Sequence, residues 1–596
     1  MIDDNEMTHP LLNQTQDDNV SSSIIMDSLN DFLRSHNIAR NQGYRFNKIS
    51  IDNFLIRVYN YYNGKGFYCI ILNSLLHLVG LFFLVFYSIF LLVCVDYTIL
   101  FETHDIYDAI NLHGFRKLSP FFTLCLVVFT ITWISEFFKF IFSFKSLLEI
   151  RRFYLEKLKI GDLYIKTIEW NKVVDKIIKF DRREGLIYDI DNHLDVHNIL
   201  CRIMRKDNFF IAMIDHKILN NRIWLPFMGK RNFLSGSLEW NIHKCIYNFI
   251  FDNNSQIQSY ITNNNINMEQ LSKELEKRFK IMAWINFIFF PFIILFQLAY
   301  FFFRFFEEIK EHSLITMRNY TKYARWQFKE YNELPHLFEM RLNLGYKSAD
   351  EYVKNFPQPI LVIISRFIIF ILSSFIAVLT CLTLYDEKIL FYPLTKNRTV
   401  LWYVGIFGII IGICRSCSFG NYVFEPIKKI KAMAVYTHYY PDKWKGKEYT
   451  YSTYESFLEL FTYKIYIIFD EIISVILTPY ILYFNFSPQS YEIIKFFTNN
   501  IVYDDNIGYH CSFSDEKNLE LSISGTEQVD YLGSTKLRKS FLNYKHNYNT
   551  NLSNPSINEK YNSILDSVDE DNSVIKLGLS MLFLESQYQK EDVTIL

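Results

Sequence analysis

Six long apolar runs divide the chain, at 67–95, 121–144, 281–303, 360–384, 400–414 and 465–486. A helix that crosses a bilayer needs roughly 20 apolar residues. The first, second and fourth runs supply that comfortably, the fifth is short, and the third and sixth carry Pro291 and Pro479 inside them. The sixth also holds adjacent Asp470 and Glu471. Two neighbouring carboxylates facing hydrocarbon are very costly, so this run packs on protein, lines a hydrated cavity or dips back to its own side. Ahead of the first run, residues 51–66 (IDNFLIRVYNYYNGKG) set Phe54, Val58 and Tyr61 on helical spacing, which predicts an interfacial amphipathic lead-in helix.

Loop charge decides how the runs are threaded. If all six crossed, the Lys/Arg-rich loops 304–359 and 415–464 would both lie outside, against the tendency of basic residues to stay on the cytoplasmic side. If runs three and six re-enter, every basic loop is cytoplasmic. The outside then holds only 96–120 and 385–399, with Asp96, Glu102, Asp105, Asp108, Asp386 and Glu387. The expected fold is an all-α polytopic membrane protein with four transmembrane helices and two re-entrant membrane helices, a cytoplasmic helical base, and both termini cytoplasmic. Its parts are a disordered polar tail at 1–50, the lead-in helix and first two spans at 51–144, and a cytoplasmic insertion at 145–280. There follow a re-entrant segment with a polar, aromatic block at 281–359, the third and fourth spans at 360–414, a base segment with the second re-entrant helix at 415–513, and a mostly disordered tail at 514–596. Within the insertion, WNKVVDKIIKF at 170–180 and ILCRIMRKDNFFIAMI at 199–214 read as amphipathic helices, and 252–267 as a loop.

Composition agrees. Of 596 residues, 50% are hydrophobic and 18% aromatic, with 57 Phe and 41 Tyr against 19 Gly, the profile of an aromatic-rich helical membrane protein. A net charge of -1 gives no bias toward polyanions and argues against nucleic acid as a partner. The polar, acidic beginning makes the first apolar run the signal anchor, and Leu11 and Leu12 behind Glu6 loosely fit a dileucine sorting signal. VIKLGLSMLFL at 574–584 reads either as a short docking helix or as a transient structure. The pair Cys414 and Cys417 lacks a second pair at ligand spacing, and no HExxH, GxSxG or phosphate-loop pattern occurs. No metal or cofactor is expected.

Ionisable residues inside the apolar runs carry more. His77 lies about 15 Å into the first run at 1.5 Å per residue, near the midplane, where it should face protein or water. Glu136 and Lys139 are spaced to pair on one helix face. Arg366, Asp470 and Glu471 either line a hydrated path or form a buried structural pair. From Arg304 to Tyr346 the chain is two-signed and aromatic. Its first turns, Glu307, Glu308, Lys310, Glu311 and His312, sit at a membrane-level vestibule if the third run re-enters, and Pro335 should open a helix. His336 and His438 read as hydrogen-bonded structural imidazoles on aromatic segments.

Five long motifs then add up to a family: FLIRVYNYYNGKGFYCIIL at 54–72, CRIMRKDNFFIAMI at 201–214, SLEWNIHKCI at 237–246, YNELPHLFEMRLNLGYKSADEYVKNF at 331–356 and THYYPDKWKGK at 437–447. Together they resemble the autophagy-related protein 9 family, over about 51–513. The resemblance implies a homotrimer packed through exchanged elements, with four spanning and two re-entrant helices per protomer. It implies phospholipid scrambling without ATP or covalent chemistry, on Golgi- and endosome-derived cytoplasmic vesicles and the phagophore, during autophagosome assembly. Its partners would be bilayer phospholipids, a bridge-like lipid transfer protein and other autophagy factors. A membrane scaffold that recruits such factors is the alternative, and an ion channel or transporter the third.

Carried over motif by motif, Lys310, Glu311 and His312 resemble the family's central-pore lining, with its basic-basic-acidic order altered. Arg318, Arg325, Glu333 and Arg341 match charged positions of the block that follows, and Arg415 matches an Arg at the end of the last span. The lipid path implied is Glu307, Glu308, Lys310, Glu311, His312, Arg318, Arg325, Arg366, Arg415, Asp470 and Glu471. Glu333, Pro335, His336, Arg341 and His438 are expected to lock trimer or base.

Overall fold

A computed structural model describes residues 51–103, 106–110, 119–186, 194–219, 222–225, 229–262, 267–310, 317–395, 398–417, 425–515 and 536–548. The chain is mostly helical. The principal helices are α1 (Ile51–Asn63), α2 (Phe67–Ile89), α3 (Pro120–Arg152), α4 (Trp170–Glu184), α5 (Val196–Asp215), α6 (Gly236–Ile250), α7 (Met268–Lys310) and α8 (Lys322–Phe328). They continue with α9 (Pro335–Asn355), α10 (Pro359–Tyr385), α11 (Val400–Cys417), α12 (Pro426–Thr437), α13 (Tyr451–Leu458), α14 (Lys464–Tyr480), α15 (Ser490–Asn499) and α16 (Lys536–Tyr548). Among the described residues one short antiparallel pair ties distant segments together, with Arg318 facing Tyr463 and Tyr320 facing Phe461, and the others join strands close in sequence.

Among the described residues five helical stretches are long and apolar enough to cross a membrane: Phe67–Ile89, Thr123–Lys157, Met268–Phe302, Pro359–Tyr385 and Lys464–Phe486; Val400–Arg415 is shorter. Length therefore does not separate the two expected re-entrant runs from the spans. Burial separates one of them: 28% of the Lys464–Phe486 window is buried against 0–11% for the other four, so the helix with two carboxylates is the one that packs most on protein. The membrane helices associate as α2 with α3, α10 with α11, and α7 with α14. Pro291 removes one donor from α7 without ending it, and the helix runs unbroken from Met268 to Lys310. The boundary expected near 280 therefore falls inside a rigid rod, and that near 144 falls inside α3.

Below these helices three apolar cores form the base. One joins α5, α6 and the start of α7 to α15. A second joins α1, the end of α3, α4 and α5. The third joins α8, α9, α12 and α13. One of the two amphipathic readings holds: α4 buries Val173, Val174, Ile177 and Ile178 and exposes Lys172, Lys179, Arg182 and Arg183, whereas α5 exposes no residue and buries even Arg202, Arg205 and Asn208, because the first and second cores enclose it from different sides. Gly185, at φ +66, closes α4 by donating to the Asp181 carbonyl.

One further expectation is corrected and two are sharpened. α1 does not lie at the lipid boundary: Ile51, Phe54, Leu55, Val58, Tyr59, Tyr61 and Tyr62 are all enclosed, because its aromatic residues occupy more of its circumference than one stripe. His77 is exposed on α2, so the described residues of its own chain do not enclose it. The segment after 514 is not wholly without structure, since α16 seats Tyr544 in the second core and Ser540 against the Tyr331 backbone. The stretch 574–584 and the Leu11–Leu12 pair lie outside the described residues.

Candidate functional site

A polar stripe runs along α14 into the base. Asp470, Glu471, Ser474 and Thr478 recur at helical spacing on the face turned to α6. Arg231 donates to Asp470. The two oxygens of Glu471 accept from the Gly236 N–H at 2.8 and 3.1 Å, at the N-terminus of α6, where an anion is favoured. Ser474 bonds Ser235, which itself caps α6 by accepting from Leu238 N–H at 3.1 Å. Asn286 of α7 donates to Asn241 of α6 at 2.6 Å, and Asn241 donates back at 3.3 Å. The carboxylates within the sixth apolar run thus meet protein, and the structure does not bring Arg366 to them.

The polar, aromatic block carries a dense set of buried charge pairs. Arg341, 3% exposed, makes two bonds of 2.7 Å to Glu333 and one of 2.9 Å to the Phe328 carbonyl. His438 lies 2.6 Å from Glu330, with its backbone in the left-handed region at φ +54. Burial opposes charge on Glu330, yet His438 and Arg341 hold its carboxyl below the usual carboxylate range. Pro335 occupies the first turn of α9, and His336 accepts from or donates to Tyr59 at 2.9 Å. Burial, helped by Lys65, pulls the His336 imidazole down to about 4. α16 closes this face: Asn543 donates to Glu333 at 3.2 Å and Lys539 to the His438 carbonyl at 2.9 Å. Nearby, Arg318 reaches Asp350 at 3.3 Å and Tyr463 at 2.7 Å, and Arg325 pairs with Glu339.

Arg366 and Arg415 differ from all of these. Both are exposed, and neither has a hydrogen-bond or ion-pair partner among the described residues. They sit on the α10–α11 hairpin, whose register is marked by Phe375 and Phe407, ring centroids 6.1 Å apart. Arg366 precedes Phe375 by nine residues and Arg415 follows Phe407 by eight. At 1.5 Å per residue the two arginines share one level within roughly 2 Å, and Arg366 lies about 10 Å beyond the start of α10. Glu307, Glu308 and Lys310 occupy the last turn of α7; Glu311 and His312 lie outside the described residues.

One arrangement could be mistaken for a nucleophile. Cys201 Sγ is 3.3 Å from His197 Nε2 and 3.4 Å from Asn332 Oδ1. Burial pushes the thiol far above its ordinary value and pulls His197 down to about 4, the opposite of an activated thiolate pair. No group of His, Cys, Asp or Glu among the described residues is placed to hold a metal.

Sequence reasoning missed Arg231, the Ser235–Ser474–Thr478 line and the Asn241–Asn286 pair. Ser474 and Thr478, four and eight residues past Asp470, and Asn286 inside an apolar run were visible signals. Arg231 had none, because it reaches Asp470 across 239 residues of chain.

A family model described as Autophagy protein ATG9 matches residues 45–515. Autophagy-related protein 9 of Dictyostelium discoideum is 36% identical over 87% of this chain and 75% of its own length. The protein of that name in Schizosaccharomyces pombe is 32% identical over 84% of this chain and 73% of its own. For that of Cryptococcus neoformans, 35% identical over 78% of this chain, the match spans 53% of its length, so the chain covers about half of this fungal relative. The cryo-EM structure of Schizosaccharomyces pombe Atg9 superposes with a TM-score of 0.60 at 32% identity, over 78% of this chain and 98% of that one.

Proposed function

Since the chain belongs to the autophagy-related protein 9 family, we propose that it is an ATP-independent phospholipid scramblase of autophagic vesicles, acting while the autophagosome membrane grows. The observation that carries this is the pair of exposed, unpartnered arginines at one level of the α10–α11 hairpin. An arginine inside hydrocarbon costs about 2.5–3.5 kcal/mol on insertion scales, whereas Arg231, Arg318 and Arg341 each have a carboxylate partner. A guanidinium offers two parallel donors to a phosphate oxygen pair, so Arg366 and Arg415 suit a lipid headgroup that leaves its leaflet. Tails stay in hydrocarbon while headgroups follow a hydrated furrow, and lipid moves down its own gradient with no covalent step.

In this reading α2, α3, α10 and α11 span, α7 and α14 re-enter, and both termini are cytoplasmic. The heavier burial of α14 and the satisfaction of Asp470 and Glu471 by protein support that topology. Glu307, Glu308, Lys310, Glu311 and His312 line a central pore of a homotrimer with exchanged elements, and lipid arrives from a lipid transfer protein. Arg318, Arg325, Asp470 and Glu471 are assigned to the base, because each already has a protein partner. The test is purified protein in vesicles carrying a fluorescent lipid in both leaflets. A membrane-impermeant quencher should reach inner-leaflet probe only when the protein is present; protection equal to that of empty vesicles would overturn the proposal.

A further inference from the structure

The connection between α3 and α4 carries an apolar tip held at a defined height. Leu163 is 80% exposed and Tyr164 is 46% exposed. An exposed leucine alone means little. Here the neighbouring Asp162 accepts from Arg151 Nε at 3.0 Å, and the same guanidinium donates through Nη2 to Tyr68 at 3.2 Å. That guanidinium also lies over the rings of Phe67 and Tyr68, 4.7 and 5.0 Å from their centroids. Phe67 and Tyr68 open α2, so Asp162 is fixed where the first membrane helix begins.

The other side of the tip is fixed as well. Ile165 is buried against Gly66, where a Cβ would come within 2.9 Å of it. Ile160 N–H donates to Tyr154 at 2.8 Å, and Lys176 donates to the Leu158 carbonyl at 3.2 Å. Of the charged groups around the tip, Lys157 is paired with Glu184 and Glu156 is exposed. Lys159 and Lys166 flank the tip, exposed and without an ion pair among the described residues. The Arg151 bridge from Asp162 to Tyr68 leads to the exposed face of α2, where Tyr68 and Leu72 are 62% and 57% exposed.

We propose that residues 159–166 form a membrane-interface anchor that inserts Leu163 and Tyr164 into the headgroup–acyl boundary of the bilayer α2 crosses, with Lys159 and Lys166 drawing anionic lipid. Rigid attachment at the α2–α3 exit, an apolar tip and unpaired flanking cations are the features an interfacial anchor requires. The anchor sets the height of the base against the cytoplasmic leaflet and does not depend on lipid crossing. A full-length protein with a photoreactive amino acid at 163, reconstituted with alkyne-tagged phosphatidylcholine, tests it. Irradiation should give a lipid adduct similar to that from position 68 and several-fold above that from position 253, a base residue whose carbonyl binds Asn53 of α1. A yield at 163 no higher than at 253, or a product of two joined chains in place of the lipid adduct, would overturn the anchor. Tagged phosphatidylserine should label 163 more strongly than phosphatidylcholine does, and Lys159→Glu with Lys166→Glu should erase that excess; an excess that survives would overturn the role of the lysines.

Discussion

Two regions of this molecule treat charge in opposite ways. In the base, Arg341 and Glu333 are enclosed, bonded to each other twice and bonded again to backbone and to α16. On the α10–α11 hairpin, Arg366 and Arg415 stand exposed at one level with no hydrogen-bond or ion-pair partner among the described residues. The base has used its charges to fix geometry, and the hairpin has left its charges available. Substitutions should therefore separate stability from lipid movement along the same line.

The largest effect is expected in the base. Arg341→Leu leaves Glu333 buried without its main partner, which costs about 3–5 kcal/mol. Thermal unfolding of the detergent-purified protein should drop by many degrees, and a melting point equal to wild type would break the contrast. Next comes acid. His197 and His336 are each held at about 4 by burial, below the ordinary imidazole value. Groups whose folded value is lowered bind more protons when unfolded, so their contribution is complete above pH 6.5 and is lost as pH falls from there toward 4. The loss is on the order of 3 kcal/mol for each. Melting curves from pH 7 to pH 4 should fall steeply, and His336→Phe, which cannot take up a proton, should flatten the slope. The smallest effect belongs to Arg325→Ala: its pair with Glu339 is half exposed, so the change should stay below about 1 kcal/mol and leave lipid movement intact.

How far the sequence reached follows the same division. The apolar runs, the helix opened by Pro335 and the amphipathic α4 could all be read, because each depends on spacing within one segment; α5 could be read as a helix but not as one buried on every side. Glu136 and Lys139 pair at 2.6 Å for the same reason. The enclosure of α1 was illegible, since its fate depends on α3, α4 and α5 arriving from elsewhere to cover both faces. Asp470 and Glu471 read as costly in lipid, but their partners, Arg231 and the Gly236 N–H, come from a remote hairpin and helix end. Nor does periodicity alone reveal that α16 docks, because its seat is assembled from the Tyr331 backbone, Glu333 and the His438 carbonyl.

The central claim is that the unpaired arginines of the hairpin, and not the paired charges of the base, handle the lipid headgroup. The direct measurement compares quencher access to inner-leaflet lipid for wild type, for Arg366→Leu with Arg415→Leu, and for Arg325→Ala, all at equal reconstitution and equal melting temperature. Loss of charge-assisted hydrogen bonds worth about 1.5–3 kcal/mol should slow the double variant on the order of tenfold or more. Arg325→Ala should match wild type. Equal rates for the double variant and wild type, with the fold intact, would contradict the account.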